Sequence, residues 1–278
     1  MSYKITKYPD GTSYVNVEDS KPVIFKINSY EDLFHLAQYA DAFRSKNKFS
    51  PNILIPNLID TQADKRFNEG ESSGLKLVID FINTMDFKSV IVFHPHNPEV
   101  VEIALKNAII LDNSKFIQSV LPTLNTDNLI LMSSDAGGFK PLTKLCDVIG
   151  WKGETFSASK SRSWSEEDGS KFIQQIDRSD FGGKDILIID DISVYGGTFK
   201  GLSKLLKERN VGKLYLAVSH ITMEVLVNRD KEDDTPVTDY FDKVFTTNSK
   251  FDNYWVSNKK GEPKQPENLE IIKLFNYE

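Results

Sequence analysis

The chain has 278 residues, with 34 Lys and Arg against 40 Asp and Glu, for a formal net charge of −6. That length and a 40% hydrophobic content are ample for a real core and exclude a chain whose main state is disorder. Basic residues scattered through an acidic chain lack the one-sided positive field that DNA or RNA binding uses, and no apolar run approaches the ~18 residues of a membrane span.

One cysteine, Cys146, makes no internal disulfide, and Met1 to Ile5 opens no apolar stretch of signal-peptide length. A reducing, cytoplasmic setting is expected, with neither nucleic acid nor membrane as partner. In chain order, residues 22–27 read as a strand, 30–44 as a helix and 53–55 as a strand. Residues 74–85 follow with Leu75, Val78, Ile79 and Ile82 at helical spacing, then a strand at 89–93 and a short helix at 99–105. The alternation continues through a strand at 129–132, a helix at 141–149, a strand at 186–189, a helix at 198–208 and a strand at 214–218. Strands apolar along their length, alternating with helices, predict an α/β fold with mainly parallel sheets covered on both faces. Residues 157–168 read as a mobile polar loop, 228–238 as a solvated connection, and 241–275 as returning strands that complete the sheets.

Ligands on such sheets sit beyond the carboxyl ends of the strands. The strongest pattern there starts at Asp185: four apolar residues end in Asp190-Asp191, and Val194-Tyr195-Gly196-Gly197-Thr198 leads into a helix. Glycines permit tight or left-handed turns, and the exposed amides of a helix N-terminus suit a phosphate. The two carboxylates fit sugar hydroxyls or a magnesium ion beside that phosphate, because both favour carboxylate oxygens.

This run resembles the phosphoribosyl-diphosphate-binding motif of the type I phosphoribosyltransferase fold. Further stretches resemble the ribose-phosphate pyrophosphokinase branch. They are Ile55-Pro56 through Asp64-Lys65-Arg66, Gly70-Glu71 through Lys76, Phe93-His94-Pro95-His96-Asn97-Pro98, Ser133-Ser134-Asp135-Ala136-Gly137-Gly138-Phe139-Lys140, and Lys160-Ser161-Arg162. Together they span nearly the whole chain in the family's order. The resemblance implies two similar α/β lobes, expected at 1–125 for nucleotide and metal and at 126–278 for the phosphoribosyl group. It also implies a homo-oligomer, at least a dimer. The implied reaction moves the β,γ-diphosphate of ATP to the anomeric hydroxyl of a 5-phosphorylated ribose, with Mg2+ and release of AMP.

Residue by residue, the resemblance makes Lys160 and Arg162 catalytic. It gives the acceptor to Asp190, Asp191, Val194, Tyr195, Gly196, Gly197 and Thr198, the nucleotide to Tyr8, Asp10, Gln62, Asp64, Lys65 and His96, and the metal to His96 and Asp135. His94 falls where the family carries Asp. His35 reads as packing, His220 as a strand-end residue, and Trp151 and Trp164 as anchors.

The departures gather at the substrate positions. Gln62 and Ala63 stand where the family has Arg and Gln, Thr12 replaces an acid, and the chain starts almost at the Tyr8-Pro9-Asp10-Gly11 motif. Val194-Tyr195 replaces Asp-Thr, which removes a carboxylate and sets a phenol ring, a stacking surface, beside the phosphate loop. An acceptor larger than ribose 5-phosphate, such as ADP-ribose, follows as an expectation. The chain resembles shortened viral members of the family that make ADP-ribose diphosphate in NAD metabolism. A phosphoribosyltransferase and a non-catalytic regulatory homologue stay open as alternatives.

Overall fold

Strand β11 (Asp185–Ser193) shows how the larger sheet is made: Ile186 and Ile188 face one core and Leu187 and Ile189 another, all buried. A strand apolar on both faces needs cover on both, and the chain supplies it. The structure is a computed structural model that describes residues 2–165, 169–227, 235–250 and 265–276, with backbone alone for 160–165, 169–173 and 227. The chain divides into two compact units, Met1–Asp112 with Phe275–Glu278, and Asn113–Leu274.

The first unit holds β1 (Tyr3–Lys7), β2 (Ser13–Val17), β3 (Val23–Ile24), α1 (Tyr30–Asn47), β4 (Asn52–Ile55), α2 (Gly74–Asn83), β5 (Ser89–Phe93), α3 (Pro98–Ala104) and β6 (Ala108–Leu111). Strands β1 and β2 form an antiparallel hairpin, and β3-β4-β5-β6 form a parallel sheet. The third strand is shorter than the run at 22–27 predicts. Phe25 still donates to the Leu54 carbonyl at 2.8 Å. The chain then turns to present Ser29, whose hydroxyl caps Asp32 N while the Asp32 carboxylate accepts from Ser29 N, a capping box that starts α1. His35 is buried on α1, as expected of a packing residue, with Nε2 2.7 Å from the Ser13 hydroxyl.

The second unit holds α4 (Ser114–Val120), β7 (Leu129–Ser133), α5 (Phe139–Ile149), β8 (Thr155–Ser157), β9 (Ser159–Ser165), β10 (Gly169–Gln175), β11, α6 (Gly197–Lys207), β12 (Leu214–Ile221), α7 (Met223–Val227), β13 (Lys243–Thr247) and β14 (Leu269–Ile272). Its six-stranded sheet runs β14-β13-β12-β11-β7-β8, parallel throughout. Phe199, Leu202 and Leu206 of α6 pack on one face, and Phe116, Leu142 and Leu145 of α4 and α5 on the other.

Three expectations change. Residues 159–165, inside the expected loop at 157–168, are a strand: β8 ends at Ser157, and β9 pairs antiparallel with β10 from Ser159 to Ser165 in a two-stranded ribbon, while residues 166–168 lie outside the described residues. The Ser-x-Ser-x alternation there is a strand period that polarity on both faces disguises. The connection at 228–238 ends buried, with Val237 and Thr238 in the core, while its residues 228–234 lie outside the described residues. The returning strands β13 and β14 complete the second unit's sheet alone. Among the described residues, no helix is long and apolar enough to cross a membrane.

Candidate active site

In the second unit the expected acceptor residues lie along and just beyond the last half of β11, beside the end of β7. Ile189 is the register partner of Ser133, the last residue of β7, so Ser134-Asp135 leave the sheet beside Asp190-Asp191, while β11 runs on to Ser193 against β12. The Ser134 hydroxyl donates to Asp190 Oδ2, and the Asp191 amide donates to Asp190 Oδ1 at 2.9 Å. Burial, and next the neighbouring Asp191 carboxylate, push the Asp190 carboxyl well above the usual carboxylate range. The Asp135 carboxylate accepts from Gly138 N at 3.1 Å and closes the turn before α5. Its carbonyl accepts from the hydroxyls of Ser133 at 3.0 Å and Ser157 at 3.1 Å, tying β8 to this corner.

The glycine loop follows. Gly196 has φ +79°, which favours glycine, and a Cβ there would lie 3.0 Å from Val225 Cγ1. Its carbonyl accepts from Phe199 N and Lys200 N, both at 3.0 Å, to start α6. The first amides of α6, at Gly197 and Thr198, have no partner within the helix and suit an anion. Thr222, just beyond β12, holds the loop from behind: its hydroxyl donates to the Val194 carbonyl at 3.0 Å and its amide to the Ser193 carbonyl at 3.0 Å. Tyr195 is 77% exposed, so its ring is open to a ligand. Beneath the loop, buried His220 sets Nδ1 2.8 Å from the Ser249 hydroxyl, a strand-end role in which the ring is spoken for.

Lys160 and Arg162 lie on β9, opposite Gln174 and Phe172 of β10. Trp164 shares that strand, and its side chain is outside the described residues; Trp151 donates its indole N–H to the Glu154 carbonyl at 3.3 Å. Near the ribbon's ends, Glu154 accepts from Lys184 Nζ at 2.8 Å and from Arg178, and these partners, Lys184 first, lower its carboxyl below the usual range.

The expected nucleotide residues lie in the first unit. Tyr8 and Asp10 sit on the turn between β1 and β2, where Asp10 Oδ1 accepts from the Thr12 amide at 3.0 Å and hydroxyl at 2.7 Å. The loop after β4 begins at Asp60, in the left-handed region at φ +59°. Its carboxylate accepts from Tyr30 Oη at 2.7 Å, and a Cβ on Gly74 would come within 2.8 Å of the same oxygen. Gln62, Lys65 and His96 are exposed. Asp64 and the His96 segment are joined through Asn97, whose amide donates to Asp64 Oδ2 at 3.1 Å while its Oδ1 caps Val100 N at 3.3 Å.

Of the expected metal pair, His96 belongs to the first unit and Asp135 to the second, and among the described residues no group of three or more His, Cys, Asp or Glu is placed to hold a metal ion. Magnesium nevertheless fits Asp190 and Asp191. Two adjacent carboxylates, one held against its own ionisation, are relieved by a hard cation that takes its remaining ligands from water and phosphate. Ser134, Asn97, Thr222 and Gln174 escaped the sequence reading. Ser134 and Asn97 carry a signal, their places inside matched motifs.

A family model described as phosphoribosyl transferase domain matches residues 99–259, more than half of the chain, and the chain belongs to that family. Relatives it is similar to include ribose-phosphate pyrophosphokinases. The Thermococcus kodakarensis protein of that name is 23% identical over 225 residues, covering 79% of this chain and 78% of its own. The Pyrococcus abyssi protein is 26% identical over 225 residues, covering 79% and 76%. A solved phosphoribosylpyrophosphate synthetase from Mycobacterium smegmatis matches with TM-score 0.73 at 16% identity, over 98% of this chain and 86% of its own. That likeness carries the fold.

Proposed function

We propose that the chain is an ATP-dependent pyrophosphokinase acting on a 5-phosphorylated ribose. The single observation that carries this reading is the corner formed by Ser134, Asp190 and the Gly196–Thr198 loop, built on a chain whose relatives bear the pyrophosphokinase name. Thr198 and the first amides of α6 take the 5-phosphate, and Asp190 and Asp191 hold the ribose hydroxyls. The anomeric oxygen attacks the β-phosphorus of ATP, the bond between the α-phosphate bridging oxygen and the β-phosphorus breaks, AMP leaves with that electron pair, and the anomeric proton is lost. Lys160 and Arg162 on the ribbon neutralise charge on the transferring phosphates, the main demand of such a transfer. Tyr8, Asp10, Gln62, Asp64, Lys65 and His96 hold the nucleotide. When bound, magnesium would be held by Asp190 and Asp191, with His96 and Asp135 as its further expected ligands, and would supply further charge neutralisation. The working form is a homo-oligomer of at least two copies.

ADP-ribose is the acceptor we favour over ribose 5-phosphate. Tyr195 is exposed beside the phosphate loop, and a ring there offers a face to whatever hangs from the 5-phosphate. The test is AMP release from ATP and magnesium with each acceptor in parallel. Activity should appear with at least one acceptor and fall about 10²–10³-fold in Lys160→Ala. Tyr195→Thr should shift the preference toward ribose 5-phosphate by roughly three- to tenfold. An unchanged preference sinks the stacking idea. No AMP with either acceptor sinks the pyrophosphokinase and returns the choice to a phosphoribosyltransferase or a regulatory homologue.

A further inference from the structure

Strand β10 ends against helix α6. Gln174, the register partner of Lys160, donates its side-chain Nε2 to the Thr198 carbonyl at 2.9 Å. The other end of that amide lies over Gly201, where a Cβ would come within 2.2 Å of Gln174 Oε1. Glycine at 201 thus makes the seat the amide occupies, and part-buried Gln174 is held between the ribbon and the first turn of the helix.

Thr198 is one residue past Gly197, in the loop whose amides face the phosphate position. A ligand that draws in these amides also fixes the Thr198 carbonyl, and through it the residue facing Lys160 across the ribbon. We propose that Gln174 is a positioning residue that couples filling of the acceptor loop to the placement of the Lys160–Arg162 strand. The inference deepens the function proposed above and rests on it for the roles of Lys160 and Arg162. Acceptor binding then orders the ribbon before transfer, which keeps the charged strand from acting on ATP alone.

The test uses the full chain and reads the coupling without turnover. Amide hydrogen exchange over residues 159–175 is followed with ribose 5-phosphate and with ADP-ribose added in turn. The acceptor should slow exchange in the parent chain, and this protection should disappear in Gln174→Met, which keeps the length but cannot donate. Gly201→Ala, which displaces the Gln174 amide from the helix side and leaves every residue of the ribbon unchanged, should abolish it too. Acceptor affinity by calorimetry should stay within about twofold in both. In turnover, kcat should fall about five- to tenfold with little change in acceptor KM, the size of one lost neutral hydrogen bond, and the double variant should be no worse than either single one. Protection equal in the variants, or none in the parent chain with either ligand, overturns the coupling. Absence of AMP release overturns the pyrophosphokinase reading instead, and the exchange result still judges the coupling.

Discussion

The hydroxyl of Ser134, just past the end of β7, donates to the carboxylate of Asp190, inside the adjacent β11. It partly offsets what burial and Asp191 do to that carboxyl, whose folded pKa stands above its unfolded one. A raised carboxyl stabilises the fold only while protonated, and its contribution is lost as pH rises from the ordinary range through the folded value. At neutral pH, without magnesium, Asp190→Asn is therefore expected to raise stability, on the order of 1 kcal/mol or about 2–4 °C in Tm. The gain should shrink as the buffer is made acidic, while acceptor binding is lost. A lower Tm at pH 7 would contradict the assignment.

Glu154 has the opposite sign. Lys184 and Arg178 depress its carboxyl, so its contribution is present above the unfolded value of 4.5 and is lost as pH falls through the lower folded value. The group is about a third exposed at 35%, and water screening holds the pair to under about 1 kcal/mol. Urea unfolding of Glu154→Gln should give a lower midpoint at pH 7, and the two chains should converge in acid. Added salt should narrow the gap.

Asn97 does two jobs that substitution can separate. Asn97→Ala loses the cap of α3, about 1 kcal/mol, and the hydrogen bond to Asp64. Asn97→Ser keeps a capping oxygen and loses only the amide. Both should raise the KM for ATP several-fold, and only the alanine variant should lower Tm by a few degrees. Equal KM values in all three chains would remove the Asp64 loop from nucleotide binding.

Behind the phosphate loop, Thr222→Val keeps shape and deletes the hydroxyl that holds the Val194 carbonyl. We expect the acceptor KM to rise about fivefold, the size of one hydrogen bond, with little change in the KM for ATP. Gly196→Ala adds a left-handed alanine and a 3.0 Å approach to Val225, so it should cost at least 1–2 kcal/mol by chemical unfolding and weaken the acceptor further.

The fold was legible wherever apolar pattern and period agreed. The strand at 89–93 and the spacing of Leu75, Val78, Ile79 and Ile82 on α2 are read directly from residue type. The ribbon at 159–175 was not, because Ser, Lys and Arg on both faces carry no hydrophobic contrast, and its pairing is a backbone matter. At the site, the Asp190-Asp191 and Gly196-Gly197 runs announce themselves because their chemistry is local. Gln174 does not: it bonds to a residue 24 positions away, and a lone Gln has no pattern to betray it, while Asn97 stands inside the matched His96 segment and only its bond to Asp64, 33 positions away, is hidden.

Phe275 belongs to the first unit, where its ring meets Phe93 edge-on at 5.2 Å. Phe93 closes β5, immediately before the His94-Pro95-His96 segment. During translation, all of the second unit emerges from the ribosome between these two rings. The contact between the rings thus waits for a residue made after the other unit's 162 positions have passed. The acceptor half has the chance to fold before that contact forms.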